Sequence, residues 1–177
     1  MRKHLTLLVL IAVVLSRPIP ATAAEPHPSV CQQDPAYRQL DFWIGHWDVF
    51  NTADGSKAGS SVIERVLGGC ALTVQWQEAD GSGEVRELFY YQKAKKLWHQ
   101  VWISDAGPTK ERVLVDVRTG GALVFQGEVP QLDGGSHLDR STVKALPDGH
   151  IHQIIEISRD SGKTWQSAFD AEYRKQK

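Results

Sequence analysis

The chain has 177 residues, of which 41% are hydrophobic and 23% charged, with 20 Lys and Arg against 21 Asp and Glu. That balance fits one globular domain with an ordinary core, and it excludes disordered, fibrous and strongly basic nucleic-acid-binding proteins. The 15 Gly, 8 Pro and 6 Trp favour many turns around an aromatic interior over a helical bundle.

Residues 1–24 have the three-part pattern of a secretory signal peptide, with a basic start, an apolar run over 5–15 and small residues over 21–24. The apolar run is too short to span a bilayer, which needs about 20 residues. We therefore expect cleavage after Ala23 or Ala24, no membrane span, and a protein of the periplasm or the medium. Cleavage would leave 17 basic and 21 acidic residues, a net charge of −4 that argues against binding to nucleic acid.

A proline-rich, polar lead-in over 25–39 carries Cys31, and Cys70 is the second of the two cysteines. An oxidising compartment favours pairing them, and a loop of about 40 residues closed by the bond would stabilise the fold by about 3–4 kcal/mol. A reactive thiol is the weaker alternative, because a thiol outside the cytoplasm is normally oxidised. We predict a Cys31–Cys70 disulfide.

One short helical turn is predicted over 37–42, and β-strand signals repeat from residue 43 onward, separated by Gly, Asp and Asn turns. Period-2 alternation predicts about ten strands, which span roughly 44–51, 59–67, 70–78, 85–91, 97–103, 111–118, 122–129, 137–146, 149–157 and 164–173. Short hairpins make the fold all-β and antiparallel, either an up-and-down barrel or a sandwich. Closure removes sheet edges, so we favour a barrel domain over 40–177.

The same alternation assigns side chains to the interior. On the strand over 111–118, Val113, Val115 and Val117 are expected to face the core and Arg112 to face solvent. The strand over 97–103 is ambiguous. We favour the inward set Trp98, Gln100 and Trp102 over the set Leu97, His99, Val101 and Ile103, because bulky groups with polar edges are costly to leave in water. The other residues expected inside are Leu72, Val74, Trp76, Leu123, Phe125, Ser141, Val143, Ala145, Ile151, Gln153, Ile155, Ile157, Trp165, Phe169 and Tyr173.

The first long strand begins with a Gly-x-Trp pattern, Gly45 and Trp47. Here the chain resembles the calycin superfamily of lipocalins, fatty-acid-binding proteins and nitrobindin-like barrels. The resemblance implies that Gly45 lets the chain cross close to its neighbours and that the Trp47 indole closes one end of a barrel.

A second resemblance covers nearly all of the chain that follows the leader. The chain is similar to a little-characterised family of secreted bacterial proteins in the segments DFWIGHWDV (41–49), GGCAL (68–72), FYY (89–91), WHQVW (98–102), SRDSGKTW (158–165) and FDAEY (169–173). An acidic residue often stands in that family where this chain has Val74. The resemblance implies a fold and a compartment and no activity.

The segment 158–165 also matches the Asp-box pattern S-x-D-x-G-x-T-W. Asp160 can accept hydrogen bonds from turn N–H groups, Gly162 can adopt a positive φ, and Trp165 can pack against the hairpin. A glycosidase propeller would need several copies, and this sequence has one. We interpret the segment as a structural hairpin.

Metal and haem sites are disfavoured. His150, His152 and Glu156 share one strand face, but the face that alternates with theirs is apolar, so the histidines should point outward. A nitrobindin-like barrel implies a proximal His near the end of the chain, where this sequence has none; His46 or His99 would substitute only if it faced the lumen. We predict no metal and no cofactor.

Catalytic patterns are sparse. No G-x-S-x-G occurs, and Glu64, Glu87 and Glu156 would act as general bases only if buried, whereas a solvated strand face is the expected place for each. His46 beside Asp48 is the pair most like a general base, and a structural role is favoured there.

The remaining signal is a set of aromatic residues with amide groups, typical of a small-molecule pocket. We predict a small hydrophobic or aromatic ligand in the lumen, in contact with Trp76, Trp98, Gln100, Trp102, Phe125 and Gln153. Two alternatives remain: an isomerase, cyclase or hydrolase-like enzyme that uses His46, His99 or a buried Glu, and an envelope protein with a filled core.

Overall fold

The computed structural model describes residues 29–132 and 134–177, so the expected signal peptide over 1–24 lies outside the described residues. Ten strands follow a short N-terminal segment, as predicted. They are β1 (Gly45–Asn51), β2 (Lys57–Val66), β3 (Ala71–Glu78), β4 (Glu84–Gln92), β5 (Leu97–Ser104), β6 (Thr109–Val117), β7 (Leu123–Pro130), β8 (Ser136–Ala145), β9 (Ile151–Ser158) and β10 (Gln166–Lys175).

Each strand pairs antiparallel with the next one in sequence, and β1 pairs with β10 to close the barrel. At this seam Trp47 lies opposite Lys175 and Asn51 lies opposite Ala171. The predicted closed up-and-down barrel is confirmed, and the sandwich alternative is wrong. No helix among the described residues is both long and apolar enough to cross a membrane.

The N-terminal segment covers one end of the barrel. It contains the single-turn helix α1 (Val30–Gln33) and two 3-10 turns, Pro35–Arg38 and Asp41–Trp43, where the sequence suggested an extended lead-in and one turn. The Trp98 indole nitrogen donates a hydrogen bond to the Ala36 carbonyl at 3.1 Å, which ties the segment to β5. We call this end the capped end; the other end carries the loops that follow β3, β5 and β9.

The predicted disulfide is confirmed. Cys31 in α1 is bonded to Cys70, which directly precedes β3. Arg38 and Arg65 reinforce the attachment, because Arg38 donates to the Cys31 carbonyl at 2.8 Å and Arg65 donates to the carbonyls of Tyr37 and Gly69. The capped end is therefore held by one covalent bond and several charged donors.

Aromatic residues fill the interior near the capped end. Trp43 contacts the Phe89 ring edge-on with centroids 5.6 Å apart, and Phe89 contacts Phe125 in the same way at 5.3 Å. Trp47 is buried and its indole nitrogen donates to the Trp43 carbonyl at 2.9 Å, while Gly45 has a φ of 149°. This half of the barrel is a packed core.

The inward face of β5 is the favoured one, since Trp98 and Gln100 are buried and Trp102 faces the lumen. The assignment of β6 is wrong: Arg112 is 1% exposed, whereas Val115 and Val117 are 54% and 53% exposed. A bulge between Leu114 and Asp116 leaves Val115 out of register with β7, and a buried carboxylate compensates the charge of Arg112.

The Asp-box segment joins β9 to β10. Asp160 accepts hydrogen bonds from the Thr164 backbone nitrogen and from the Ser158 hydroxyl, each at 2.8 Å, and Gly162 has a φ of 86°. Trp165 was expected in the core, but it lies against the outer surface, where the Arg140 guanidinium stacks 3.8 Å from the indole centroid. Ala145, another residue expected inside, is exposed at the end of β8.

Candidate functional site

A cavity of about 190 Å³ lies inside the barrel, toward the end opposite the cap. One part of its wall is apolar and aromatic, formed by Val74, Trp76, Val85, Trp102, Ile155 and Phe169. The other part carries polar groups from six strands, namely Glu78, Glu87, Gln100, Lys110, Arg112, Gln153 and Tyr173. We call this polar set the polar floor of the cavity. An apolar, aromatic wall together with a polar floor is the usual composition of a small-molecule site.

Strand register places the polar groups together. Gln100 on β5 lies opposite Arg112 on β6, and Trp102 lies opposite both Glu87 on β4 and Lys110 on β6. Because alternate residues of each strand point to the same side, these five side chains form one continuous patch of the inner wall.

Arg112 is held by a buried carboxylate two strands away. Its Nε atom donates to Oδ1 of Asp139 on β8 at 2.8 Å, and Nζ of Lys110 lies 2.8 Å from Oδ2 of the same carboxylate. The side chains of Arg112 and Asp139 are both fully buried. Two cations therefore share this one carboxylate, and the Glu87 carboxyl lies on the same wall of the cavity.

Glu87 is the acidic group of the cavity floor. The Gln100 Nε2 amide donates a hydrogen bond to its Oε2 atom. Burial raises the pKa of the Glu87 carboxyl above its ordinary value of 4.5, although the Gln100 hydrogen bond and the charges of Arg112 and Lys110 act in the opposite direction. Sequence reasoning placed Glu87 on a solvated face, and the structure corrects that assignment.

Tyr173 and Gln153 form a second polar chain. The Tyr173 hydroxyl donates to Oε1 of Gln153, whose Nε2 atom donates to the Ser141 hydroxyl at 3.0 Å. Burial and the negative charge of Glu87 both hold the pKa of Tyr173 well above its usual range, so the phenol keeps its proton. These groups satisfy one another and give the cavity a fixed polar side.

Aromatic rings flank the cavity at the end away from the cap. Trp76 and Phe169 meet edge-on with centroids 5.9 Å apart, and the Trp76 indole donates to Glu78 at 3.0 Å. A Cβ atom at Gly59 would lie 2.6 Å from the Trp76 ring, so the glycine provides the space that the indole occupies. On the other side Nζ of Lys110 lies 4.8 Å from the centroid of the Trp102 ring.

The structure places four of the six predicted ligand-contacting residues on the cavity wall: Trp76, Gln100, Trp102 and Gln153. Trp98 and Phe125 lie elsewhere in the core, where Trp98 packs against Tyr91 with centroids 5.7 Å apart. Sequence reasoning missed Lys110, Arg112 and Asp139, and it named Glu87 only as one of three carboxylates that would act if buried. Gly127, in the middle of β7, was the available signal, because a glycine inside a strand marks a close approach of neighbouring groups.

The histidines considered as bases or ligands lie outside the lumen. His46 is exposed, and Asp48 contacts Nζ of Lys57 at 2.7 Å. His99 stacks on Tyr90 with centroids 4.8 Å apart on the outer surface. Two further histidines pair with carboxylates on the outer face: His150 with Asp148 and Glu172, and His152 with Asp170. Across 29–132 and 134–177, no cluster of three or more His, Cys, Asp or Glu side chains could hold a metal ion.

No protein-family model matches this chain, and no curated protein sequence matches it. The cavity itself is therefore the basis for a proposed function.

Proposed function

We propose that the barrel binds a small molecule with an apolar or aromatic body in the cavity beside Trp76 and Trp102. The observation that carries the proposal is the unfilled space of about 190 Å³ between an aromatic wall and a polar floor. A cavity of about 150 Å³ in another protein holds benzene, so this space suits a body of about one aromatic ring. A barrel with a merely structural role would fill this volume with side chains.

The polar floor supports binding over passive packing. Burying the ionisable groups of Glu87, Arg112 and Lys110 together costs free energy, and apolar side chains of similar size would avoid that cost. Stability alone therefore does not explain their presence in the core. Such groups are typical of sites that orient a ligand.

Tryptophan emission tests the proposal. A panel of small aromatic compounds should quench or shift the emission saturably, since Trp76 and Trp102 line the cavity. The variant Val85→Phe fills the cavity from β4 and should abolish the response, whereas Val101→Phe, on the outer face of β5, should preserve it. Native mass spectrometry of the purified protein would show any molecule that it retains. An unchanged emission across the whole panel would contradict the proposal.

A second candidate function is proton transfer by Glu87. The raised pKa of this carboxyl, in a cavity that also holds Tyr173, is a feature of general acids and bases. A bound compound incubated in D₂O would then exchange a C–H proton, and Glu87→Gln would stop the exchange while binding continued. Binding without exchange would leave the cavity a binding site only.

We also propose that the protein works outside the cytoplasm. The Cys31–Cys70 bond supports this location, because disulfides persist in oxidising compartments. Cell fractionation followed by intact-mass measurement tests it: the native protein should be found in the periplasm or the medium with both cysteines oxidised. A reduced cytoplasmic pool as the main form would contradict the location.

We further propose that the barrel is related to the calycins and to the secreted bacterial family that it resembles. Gly45 and Trp47 at the start of β1 support this relationship, as does the closed meander of ten strands. Superposition of experimental coordinates on calycin barrels would test it, and a different strand tilt and stagger would contradict it.

A further inference from the structure

Three buried polar atoms of two residues on the cavity floor have no hydrogen-bond partner within the described part of the chain. They are Oε1 of Gln100, an acceptor, and the donors Nη1 and Nη2 of Arg112. Of these, Nη2 lies 2.5 Å from Oδ1 of Asp139 as an ion pair. Each of these two residues is only 1% exposed, both line the cavity, and they lie opposite each other on β5 and β6. Unpaired buried polar atoms are costly, and one reason for a protein to keep them is that a ligand completes them.

The missing partners define a pattern of hydrogen bonds. Nη1 of Arg112 requires an acceptor, and Oε1 of Gln100 requires a donor. The Glu87 carboxylate, diagonally across from Gln100, offers a second acceptor on the same wall. A complementary head group has one acceptor beside two N–H donors, as a primary carboxamide does.

Charge selects against ionised heads of the same shape. A carboxylate would place a lone pair against Oε1 of Gln100, which requires a donor, and Asp139 already neutralises part of the charge of Arg112. A cationic head such as an amidinium would approach Arg112 and Lys110, and it has no acceptor for Nη1. A neutral head that both donates and accepts avoids both penalties.

We propose that the ligand of this cavity has an uncharged carboxamide-type head group, bound between Gln100, Glu87 and Arg112, and a body of about one aromatic ring against Trp76 and Trp102. This inference rests on the proposed function and adds the class of ligand to it. The amide oxygen accepts from Nη1 of Arg112, and the amide nitrogen donates to Gln100 and Glu87.

Five compounds of nearly equal shape test the head group: benzamide, benzamidine, benzoate, acetophenone and cumene. Dissociation constants come from NMR titration of the tryptophan indole N–H signals at pH 7. Benzamide should bind at least about fivefold more tightly than each of the others, since each of them leaves at least one buried group unpaired or opposed by charge. Benzoate, benzamidine, acetophenone or cumene binding as tightly as benzamide would overturn the inference and leave the proposed function intact. If none of the five compounds binds, both the inference about the head group and the proposed ligand-binding function are contradicted.

Matched variants locate the effect. Gln100→Leu removes the unpaired acceptor and should reduce the advantage of benzamide over cumene to less than about twofold. Gln75→Leu makes the same change at an exposed position of β3 and should keep the full advantage. An unchanged advantage in a folded Gln100→Leu protein would also overturn the inference. Should Gln100→Leu fail to fold, the ranking of the five compounds by the native protein decides alone.

Discussion

Arg112 and Asp139 form an ion pair across an intervening strand, because Gly127 of β7 lies between them and has no side chain. Gly127 lies directly opposite Asp139, and a Cβ atom built on it would lie 1.8 Å from the Glu111 carbonyl oxygen. The missing side chain therefore lets β6 approach β7 closely and leaves room for the guanidinium to reach the Asp139 carboxylate. A single glycine makes the polar floor of the cavity geometrically possible.

Gly127→Ala should destabilise the protein by about 1–3 kcal/mol, because the new methyl group meets backbone atoms that cannot rotate away. Urea unfolding at pH 7 measures the difference in the free energy of unfolding. Gly83→Ala is the matched control, since a Cβ there meets only ordinary contacts, at 3.5 Å from the Asp105 carboxylate. Equal effects of the two substitutions would contradict the close-approach argument.

The Arg112–Asp139 pair predicts a strongly non-additive mutant cycle. Asp139→Leu alone should cost about 3–5 kcal/mol, because it leaves the buried charge of Arg112 without its partner. Arg112→Met should cost less, because the Asp139 carboxylate keeps its contact with Lys110. The double variant should cost less than the sum of the two single changes. The exposed Lys57–Asp48 pair provides the comparison: Asp48→Asn should change the free energy of unfolding by about 1 kcal/mol at most. Additive effects at Arg112 and Asp139 would be evidence against an energetic coupling.

Glu87 should make the protein less stable as the pH rises. Its pKa is higher in the folded state than the ordinary 4.5, so the folded state holds the proton more tightly than the unfolded state. The resulting stabilisation is complete below about pH 4.5 and is lost as the pH rises through the folded pKa. Glu87→Gln should therefore gain stability relative to the native protein as the pH rises from 5 upward. Urea unfolding across this range measures the difference in the free energy of unfolding between the variant and the native protein. A difference that does not widen with pH would contradict the raised pKa of Glu87.

The Asp-box hairpin has the opposite pH dependence. Hydrogen bonds from Thr164 and Ser158 lower the pKa of Asp160 from 3.8 to about 2. A lowered pKa contributes stability above the ordinary value, and this contribution is lost as the pH falls toward about 2. The native protein should unfold at higher urea than Asp160→Asn at pH 5, and the difference should shrink between pH 3.8 and pH 2. A difference that is constant with pH would mean that the carboxylate charge has no part in the effect.

Reduction of the disulfide should loosen the capped end. On the chain-entropy account, a bond between residues 39 apart stabilises the fold by about 4 kcal/mol. Dithiothreitol should lower the free energy of unfolding by an amount of that order. The variant with both Cys31 and Cys70 replaced by Ala should not respond to the reductant, and a response would point to a different cause.

The strand pattern of this protein could be predicted because turn residues and alternation are local signals. Ten strands and their hairpin order follow from them, and the inward face of β5 follows from the size of its tryptophans. The inward face of β6 was assigned wrongly from hydrophobicity, because the apolar Val115 and Val117 point outward and the charged Arg112 points inward. The inward position of Arg112 depends on Asp139, a residue 27 positions later, and no local pattern encodes that partner.

Only the aromatic and amide residues of the candidate site could be predicted, because the charged residues depend on partners that are distant in sequence. Residue type and strand alternation together indicate four of the lining residues, and the structure places all four on the cavity wall: Trp76, Gln100, Trp102 and Gln153. Glu87 is ordinary as a residue type, and its environment becomes unusual only when β5 and β6 bring Gln100 and Arg112 beside it. The chemistry of the floor is a property of the closed sheet rather than of any one segment.

The seam between β1 and β10 has a consequence for how the molecule is made. β1 (Gly45–Asn51) cannot complete its hydrogen bonds until β10 (Gln166–Lys175) has been synthesised, so a nascent chain exposes two open strand edges until then. Pairing two strands as far apart in sequence as β1 and β10 is slow, and open strand edges are the places where chains aggregate. Truncation within β10 should therefore produce insoluble protein rather than a smaller soluble barrel, and a chaperone that shields β1 during synthesis should raise the yield.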